Sequence, residues 1–285
     1  MRQFLVLALI LPTSLFAEDW PQFLGPRRDG SYQGKALPVW PAEGPKKIWH
    51  MKIGSGFAGP AVADGRLFLF HRTTGREVLE CLEATTGKTI WKYQATADYV
   101  DDFGFDDGPR AVPTVSAGRV YTLGANGLIK CNDAVTGKML WKVDVRKQFE
   151  AGKGFFGLAC SPLVSGRNVL INIGGRSAGI IALDTQSGKI RWKATEEKSS
   201  YASPILTKIN DQSHAIFFTR EGIVSAEPSS GKVIFSHHWR PTMNASVNAC
   251  TPVAVGNLVF VSTSYGKGAI VLAVDGKKLE TVWSG

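Results

Sequence analysis

The chain has 285 residues, of which 44% are hydrophobic and 20% are charged, and its formal net charge is +9. This composition is typical of a globular protein and excludes the disordered, collagen-like and coiled-coil classes. The positive charge does not indicate a nucleic-acid partner, because several lysines recur once per repeat after a turn glycine, as Lys88 and Lys138 do. A charge spaced in this way predicts a solvated rim, and no nucleic-acid-binding module accompanies it.

The first 17 residues have the layout of a secretory signal peptide. Arg2 precedes an apolar run from Phe4 to Leu11, Pro12 interrupts it, and Ala17 is the small residue at the expected cleavage site. The run is shorter than the roughly 20 residues of a membrane-spanning helix. No cysteine follows Ala17 to carry a lipid. The sequence therefore predicts a signal peptide over 1–17 and an exported protein, periplasmic or secreted, without a transmembrane segment.

A lead-in over 18–45 separates the signal peptide from the repeats. It contains the segment Asp-Trp-Pro-Gln-Phe-Leu-Gly-Pro-Arg-Arg-Asp-Gly over 19–30. The next segment, 46–51, resembles an isolated outermost strand with Trp49 at its centre. We place the start of the folded repeat domain at residue 46 and its end at 285.

One unit recurs along the rest of the chain. Its second half follows the pattern small-x-acidic-x-x-(Thr/Ser)-Gly-x-x-x-Trp, and three clear copies lie at 81–91, 131–141 and 182–192. A weaker copy at 225–235 has Phe235 in place of the tryptophan, and a fifth at 273–283 lacks the turn glycine. The first half of each unit is a proline followed by two short apolar runs. Repeats about 40–55 residues apart are the size of propeller blades.

Each unit contains four short β runs separated by glycine-rich turns. Runs such as 67–70 are apolar at consecutive positions, which indicates strands covered on both faces. The turn glycines supply a backbone conformation that the hairpins need. The motif tryptophans are expected to pack on a small residue of the neighbouring repeat. The predicted fold is an all-β propeller of four-stranded blades, with about five blades present.

The repeat resembles that of the PQQ-like β-propellers, whose tryptophan-docking motif is A-x-D-x-x-T-G-x-x-x-W. The resemblance covers 46–285, and the lead-in is similar to the start of exported bacterial members. Members of this kind are usually eight-bladed. The resemblance therefore implies that five blades form an open ring and that the propeller is incomplete at its C-terminus.

The acidic connector 98–107 is the stretch least like the repeat. Four of its aspartates are weak candidates for a calcium site, since Ca²⁺ favours carboxylate oxygen; they are Asp101, Asp102, Asp106 and Asp107. The spacing is not that of an EF-hand, and a solvated loop is the alternative. Connectors share a propeller face with the loops between middle strands, so this loop is expected near four other polar residues: Arg220, Glu221, Asn244 and Asn248.

Other motifs that suggest chemistry are better explained by structure. The segments 54–59 and 152–157 match the dinucleotide-binding pattern G-x-G-x-x-G, but both are expected in connectors without the required helix. The segment 175–179 matches the hydrolase pattern G-x-S-x-G, but Ser177 falls between two strands. Neighbouring His237 and His238 should point to opposite faces of a strand, which is poor metal geometry. No catalytic residue is assigned.

The four cysteines are widely spaced and include no C-x-x-C motif, so zinc and thioredoxin-like sites are disfavoured. They are expected to be small buried residues. They are Cys81, Cys131, Cys160 and Cys250.

Two functions follow from the resemblance. The first is an exported, non-catalytic propeller that binds a protein or small-molecule ligand on one face, similar to the BamB-type scaffold in its repeats but without that family's lipid-bearing cysteine. The second is a PQQ-dependent alcohol or sugar dehydrogenase, in which a quinone with Ca²⁺ lies in the central channel. The alcohol dehydrogenases of the family carry adjacent cysteines, and this chain has none. The first function is therefore preferred, with no cofactor.

Overall fold

A computed structural model describes residues 18–34, 36 and 38–285. The predicted signal peptide lies outside the described residues. The chain forms five antiparallel sheets, and each sheet contains four strands that are consecutive in sequence. The predicted all-β architecture of about five four-stranded blades is confirmed.

The strands follow the repeat units along the chain. Blade 1 contains β1 (Ala61–Ala63), β2 (Arg66–Thr73), β3 (Arg76–Glu83) and β4 (Thr89–Thr96). Blade 2 contains β5 (Thr114–Ser116), β6 (Arg119–Leu123), β7 (Leu128–Asp133) and β8 (Met139–Asp144). Blade 3 contains β9 (Leu163–Ser165), β10 (Asn168–Gly175), β11 (Ala178–Asp184) and β12 (Ile190–Ala194). Blade 4 contains β13 (Ile205–Ile209), β14 (Gln212–Phe218), β15 (Gly222–Ala226) and β16 (Val233–His238). Blade 5 contains β17 (Val253–Val255), β18 (Leu258–Thr263), β19 (Gly268–Asp275) and β20 (Lys278–Ser284).

A short helix, α1 (Val145–Phe149), follows blade 2. Asp144 caps it by accepting a hydrogen bond from the backbone N–H of Lys147 at 3.1 Å. Val145 and Phe149 are buried against blades 2 and 3. Five residues are too few to produce a helical period in the sequence, which is why none was predicted.

The middle strands of blades 1 to 4 are covered on both faces, as their apolar runs predicted, whereas buried and half-buried positions alternate in β18 and β19 of blade 5. Every residue of β11 is buried, and so are seven of the eight residues of β10. Four buried apolar clusters join consecutive blades, so the sheets are stacked face to face. Burial of this kind is the main force that holds each blade on the next.

The motif tryptophans of blades 1 to 3 each dock on the following blade. The Trp141 ring lies against Gly188, where an added Cβ would come within 2.7 Å of ring carbon. Its Nε1–H donates to the carbonyl of Thr185 at 3.1 Å. Trp91 and Trp192 make the equivalent bonds, to Ala134 and Pro228, both at 3.2 Å. The predicted docking of the tryptophans on the neighbouring repeat is confirmed, and the residue they contact is its turn glycine, which was expected only to shape the hairpin.

The segment around Trp49 docks in the same way but is not a strand. Trp49 lies against Gly87 and donates to the carbonyl of Ala84 at 2.9 Å, while residues 46–51 pair with no strand of the described part of the chain. The expectation of an outermost strand there was wrong. The Trp49 indole can dock on the glycine turn of blade 1 without its own segment being part of a β-sheet.

Between blades 4 and 5, a tryptophan outside the motif takes the place of the motif tryptophan. Blade 4 has Phe235, which lacks an indole N–H, and the β19–β20 hairpin of blade 5 has a two-residue turn with Asp275 opposite Lys278. Trp239 takes over, because its Nε1–H donates to the carbonyl of Gly268 at 3.4 Å. The missing tryptophan of blade 4 and the missing turn glycine of blade 5 therefore belong to the same contact between blades.

Blade 5 presents an exposed outer face. Trp283, expected to be buried like the other motif tryptophans, is 52% exposed, because no turn glycine of a further described blade lies against it. Val255 on the inner strand is 72% exposed. Burial is therefore confirmed for Trp141, Trp192 and Phe235, whereas Trp91 is half-buried and Trp283 is exposed.

The cysteines are free thiols in the structure. Three of them are buried, and burial raises the pKa of Cys81 and Cys160 to about 11. Cys250 is half-buried. The expectation of small packed residues is confirmed for the first three. Among the residues that the structure describes, no helix is long and apolar enough to span a membrane.

Candidate functional site

The strand directions give the stacked blades two faces. The connector face carries the segments that run from one blade to the next, together with the turns between the second and third strands of each blade. The turn face carries the glycine turns of the tryptophan motif. The innermost strands of the blades line the central channel between the two faces.

The lead-in enters this channel, and we call residues 18–33 the plug. Trp20 pairs with Val62 of β1 through two backbone hydrogen bonds of 2.8 Å. The carbonyl of Pro21 accepts the backbone N–H of Val115 in β5 at 2.7 Å. The plug then turns back, and the backbone N–H of Gln33 donates to Glu18 at 2.9 Å. It thus pairs with the free edges of two innermost strands.

Arg28 makes most of the side-chain hydrogen bonds between the plug and the blades, and it is only 2% exposed. Its Nη1 donates to the carbonyl of Pro204 at 2.8 Å and to that of Ser161 at 3.3 Å. Its Nη2 donates to the carbonyl of Pro162. Gln22 accepts from its Nε at 3.0 Å. One guanidinium therefore ties the plug to the starts of the innermost strands of blades 3 and 4.

Burial lowers the pKa of Arg28 to about 10, so the guanidinium stays charged at neutral pH. Neutral carbonyl dipoles, rather than a carboxylate, balance its charge. Arg28 lies beside a cavity of about 430 Å³, whose lining includes Leu163, Ile205 and Val253 of the innermost strands.

The acidic connector on the connector face is built around Asp101. This side chain is 7% exposed and forms a 3.0 Å ion pair with Arg110. It also accepts backbone N–H groups from Phe103 at 2.9 Å and Phe105 at 3.2 Å. Burial alone would raise the pKa of Asp101, but these hydrogen bonds and Arg110 hold it below the usual value. Asp101 therefore folds the loop.

Each of the other three candidate aspartates is bound to a different partner. Asp102 pairs with Lys153 at 2.6 Å. Asp106 accepts from the backbone of Gly108 at 2.6 Å, and Asp107 accepts from the backbone of Asp101 at 2.7 Å. Within the described part of the chain, no three His, Cys, Asp or Glu side chains converge in a way that could hold a metal ion. The calcium site stays a prediction.

The loop held by Asp101 presents aromatic rings to solvent. We call five side chains from three connectors the aromatic cluster: Phe103, Phe105, Phe155, Phe156 and Tyr201. The Phe156 ring centroid lies 5.1 Å from that of Phe103, 5.8 Å from that of Phe105 and 5.7 Å from that of Tyr201. Phe103 is 55% exposed and Phe105 is 69% exposed. A contiguous exposed aromatic surface of this kind marks an interaction site.

A cationic pocket adjoins the aromatic cluster. It has a volume of about 410 Å³, and its lining includes Phe155, Lys198 and Arg220. The guanidinium carbon of Arg220 lies 5.1 Å from the centroid of the Phe155 ring. Phe155 is therefore shared by the pocket and the cluster, since its ring also lies 6.3 Å from that of Phe103.

The four polar residues expected near the acidic connector do lie on its face. Arg220 donates to the carbonyl of Asn244 and reaches the connector through Phe155. Glu221 is paired with Arg240 at 2.8 Å. Asn248 is buried and donates to the carbonyl of Thr219 at 2.8 Å. Only Arg220 of the four borders the pocket.

The remaining motifs have structural roles, as expected. Ser177 lies in the turn between β10 and β11 and donates to Glu196 at 3.1 Å. The two G-x-G-x-x-G segments lie in loops before β1 and before β9. Buried His214 bonds Ser225 through Nδ1 at 2.7 Å, and burial lowers its pKa.

The sequence matches the family model described as outer membrane protein assembly factor BamB over residues 39–110 and 103–284. The chain belongs to this family. The serine/threonine-protein kinase AfsK of Streptomyces griseus is 26% identical over 193 residues, which are 65% of this chain and 21% of that protein.

Two solved structures share the fold. BamB from Moraxella catarrhalis matches with a TM-score of 0.55 and 17% identity, over 81% of this chain and 63% of that chain. The quinohemoprotein alcohol dehydrogenase from Comamonas testosteroni matches with a TM-score of 0.58 and 16% identity, over 94% of this chain and 49% of that chain. The chain spans less than two thirds of each of these relatives, and likeness at this identity concerns the fold.

Sequence reasoning missed the plug and the aromatic cluster. Arg28 gives no signal, because a buried arginine has the same sequence appearance as an exposed one. Phe103, Phe105, Phe155 and Phe156 do leave a trace, since they are phenylalanines in glycine-rich connectors rather than in strands. Their convergence depends on the stacking of blades 1 to 3.

Proposed function

We propose that this protein is an exported binding module that holds a protein ligand on its connector face and catalyses no reaction. The aromatic cluster is the observation that supports this proposal most directly. Phe103 and Phe105 are exposed, and Asp101 and Arg110 fix the loop that carries them. A rigid aromatic surface is typical of the centre of a protein interface.

A quinoprotein dehydrogenase is the weaker alternative. Similarity to a quinohemoprotein dehydrogenase at 16% identity supports a common fold only, and the described residues bring no three His, Cys, Asp or Glu side chains together for Ca²⁺. The carboxylates of the acidic connector are engaged with Arg110, Lys153 and backbone amides. We expect that PQQ with Ca²⁺ gives neither a quinone absorption shift nor alcohol- or sugar-dependent dye reduction. An absorption shift with turnover would establish the enzyme instead.

Site-specific photocrosslinking in the native host tests the binding surface. A benzoylphenylalanine at position 105 is expected to give a discrete protein adduct after irradiation. The same residue at position 135 is the matched control, because Val135 is 55% exposed but lies on the turn face. Equal adducts at both positions, or none at position 105, would contradict the proposal.

Export is proposed from the signal-peptide layout of 1–17. A fusion of residues 1–30 to alkaline phosphatase without its own signal should be active, because this enzyme requires an oxidising compartment. Replacement of Leu5 and Leu7 by arginine should abolish that activity. Activity that survives the replacement would exclude a signal peptide.

A further inference from the structure

We infer that the cationic pocket receives an acidic side chain of the bound protein, next to an apolar side chain that covers the aromatic cluster. This inference rests on the proposed function and names the chemistry of its ligand. The ligand is a peptide segment that combines aspartate or glutamate with aromatic residues.

Arg220 is a positioned cation without a carboxylate partner. No carboxylate of the described residues lies within 4 Å of its guanidinium, and its Nε is buried without a hydrogen-bond partner there. Neighbouring Arg240, in contrast, is paired with Glu221 at 2.8 Å. Stacking on Phe155 and the bond to the carbonyl of Asn244 hold the Arg220 side chain in place. Preorganised arginine is suited to charge-assisted bonds with carboxylates.

The charge of the pocket favours an acidic ligand. Lys198 is exposed and makes no ion pair within the part of the chain that the structure describes. Glu150, the acidic residue of the lining, is paired with Arg176 at 3.6 Å. Lys153 nearby is already paired with Asp102. Lys198 and Arg220 are therefore two cations of the lining without an ion pair among the described residues, against one lining carboxylate, that of Glu150.

Backbone geometry leaves room for a ligand group. Gly152 has open space where a Cβ would lie, and Gly154 lines the pocket without a side chain. Phe155 forms the wall between the pocket and Phe103. A carboxylate in the pocket and a ring on Phe103 and Phe105 could thus come from neighbouring residues of one extended segment.

Titration calorimetry of the mature protein at 150 mM salt tests this inference, with a random copolymer of glutamate and tyrosine as the probe. We expect saturable binding of this copolymer and at least tenfold weaker binding of polyglutamate and of a lysine–tyrosine copolymer. The double variant K198Q/R220Q should lose at least tenfold in affinity, and so should F103S/F105S.

A matched variant separates specific binding from attraction by the net positive charge. K88Q/K138Q removes the same charge from exposed positions on the turn face and should stay within twofold of the unsubstituted protein. Melting curves show that each variant is folded. Absence of copolymer binding, equal affinity for polyglutamate, or equal losses in K88Q/K138Q and K198Q/R220Q would overturn the inference. A position-105 adduct obtained alongside such a result would leave the proposed function standing and exclude only this ligand chemistry.

Discussion

At the residue scale, the buried ion pair between Glu77 and Lys130 joins blades 1 and 2. Lys130 Nζ lies 2.9 Å from Glu77 Oε2, and both side chains are 2% exposed. Gly124 makes the space, because a Cβ there would collide with the Glu77 carboxylate. Removal of one partner leaves an uncompensated buried charge.

We therefore predict that Glu77→Leu, which leaves Lys130 buried without its partner, lowers the free energy of unfolding by about 3–5 kcal/mol. The paired change E77L/K130M should cost less than E77L or K130M alone, because no buried charge is then left without a partner. Urea unfolding of the four proteins measures this cycle. Additive losses would show that the two side chains do not interact.

Asp184 gives a pH-dependent prediction. Burial alone would raise its pKa, but hydrogen bonds from Ser187 and Gln186, together with Arg167, lower it to about 2. A carboxyl with a lowered folded-state pKa stabilises the protein above its unfolded value of about 4. That stability is lost as the pH falls from about 4 toward 2.

Asp184→Asn should therefore cost roughly 1–2 kcal/mol at pH 7 and much less at pH 2.5. Chemical denaturation at both pH values measures the difference. Ser187→Ala, which removes one of the hydrogen bonds, should show a smaller effect with the same direction. A cost that is independent of pH would contradict the assigned ionisation.

At the scale of the elements, the tryptophan–glycine contact decides how the blades stack. Gly188 has φ +68° and lies against Trp141, whereas Gly166 in the same blade has φ +55° and open space around its Cβ position. Both glycines have a left-handed backbone that would strain any other residue, but only Gly188 contacts a tryptophan ring.

Gly166→Ala should cost about 1 kcal/mol, the price of a left-handed alanine. Gly188→Ala should cost about 3 kcal/mol or more, because the new methyl also displaces the Trp141 ring. Thermal unfolding of both variants compares them directly. Similar losses in the two proteins would show that backbone strain, not docking, determines the effect.

The repeat pattern predicted most elements because each motif residue performs a local task. Turn glycines and apolar runs are local, so the strands of all five blades follow from the sequence. The contact between blades 4 and 5 does not, because Trp239 lies outside the motif and finds Gly268 only when the sheets are stacked. Exposure of Trp283 also follows from the stacking, because no turn glycine of another described blade lies against it.

At the scale of the whole molecule, the plug joins blades that are distant in sequence. Arg28 reaches carbonyls of residues 161, 162 and 204. Arg28→Gln should lower the free energy of unfolding by at least about 3 kcal/mol, because several buried carbonyls lose their donor. Arg27→Gln is the control, since Arg27 bonds Ser31, Glu18 and Asp29 on the surface.

Hydrogen exchange of peptides that cover 18–33 should increase in Arg28→Gln and not in Arg27→Gln. Unchanged protection would show that the backbone pairing of Trp20 and Pro21 holds the plug by itself.

The sequence by itself determined the propeller architecture, the repeat boundaries and the role of the tryptophan motif, because these depend on contacts within one repeat or between a repeat and the next. Tertiary structure alone decided the position of the plug, the burial of Arg28 and the meeting of Phe103, Phe155 and Arg220. These features join segments that lie 50 to 180 residues apart, and no local pattern records which partners the stacking of the blades will bring together.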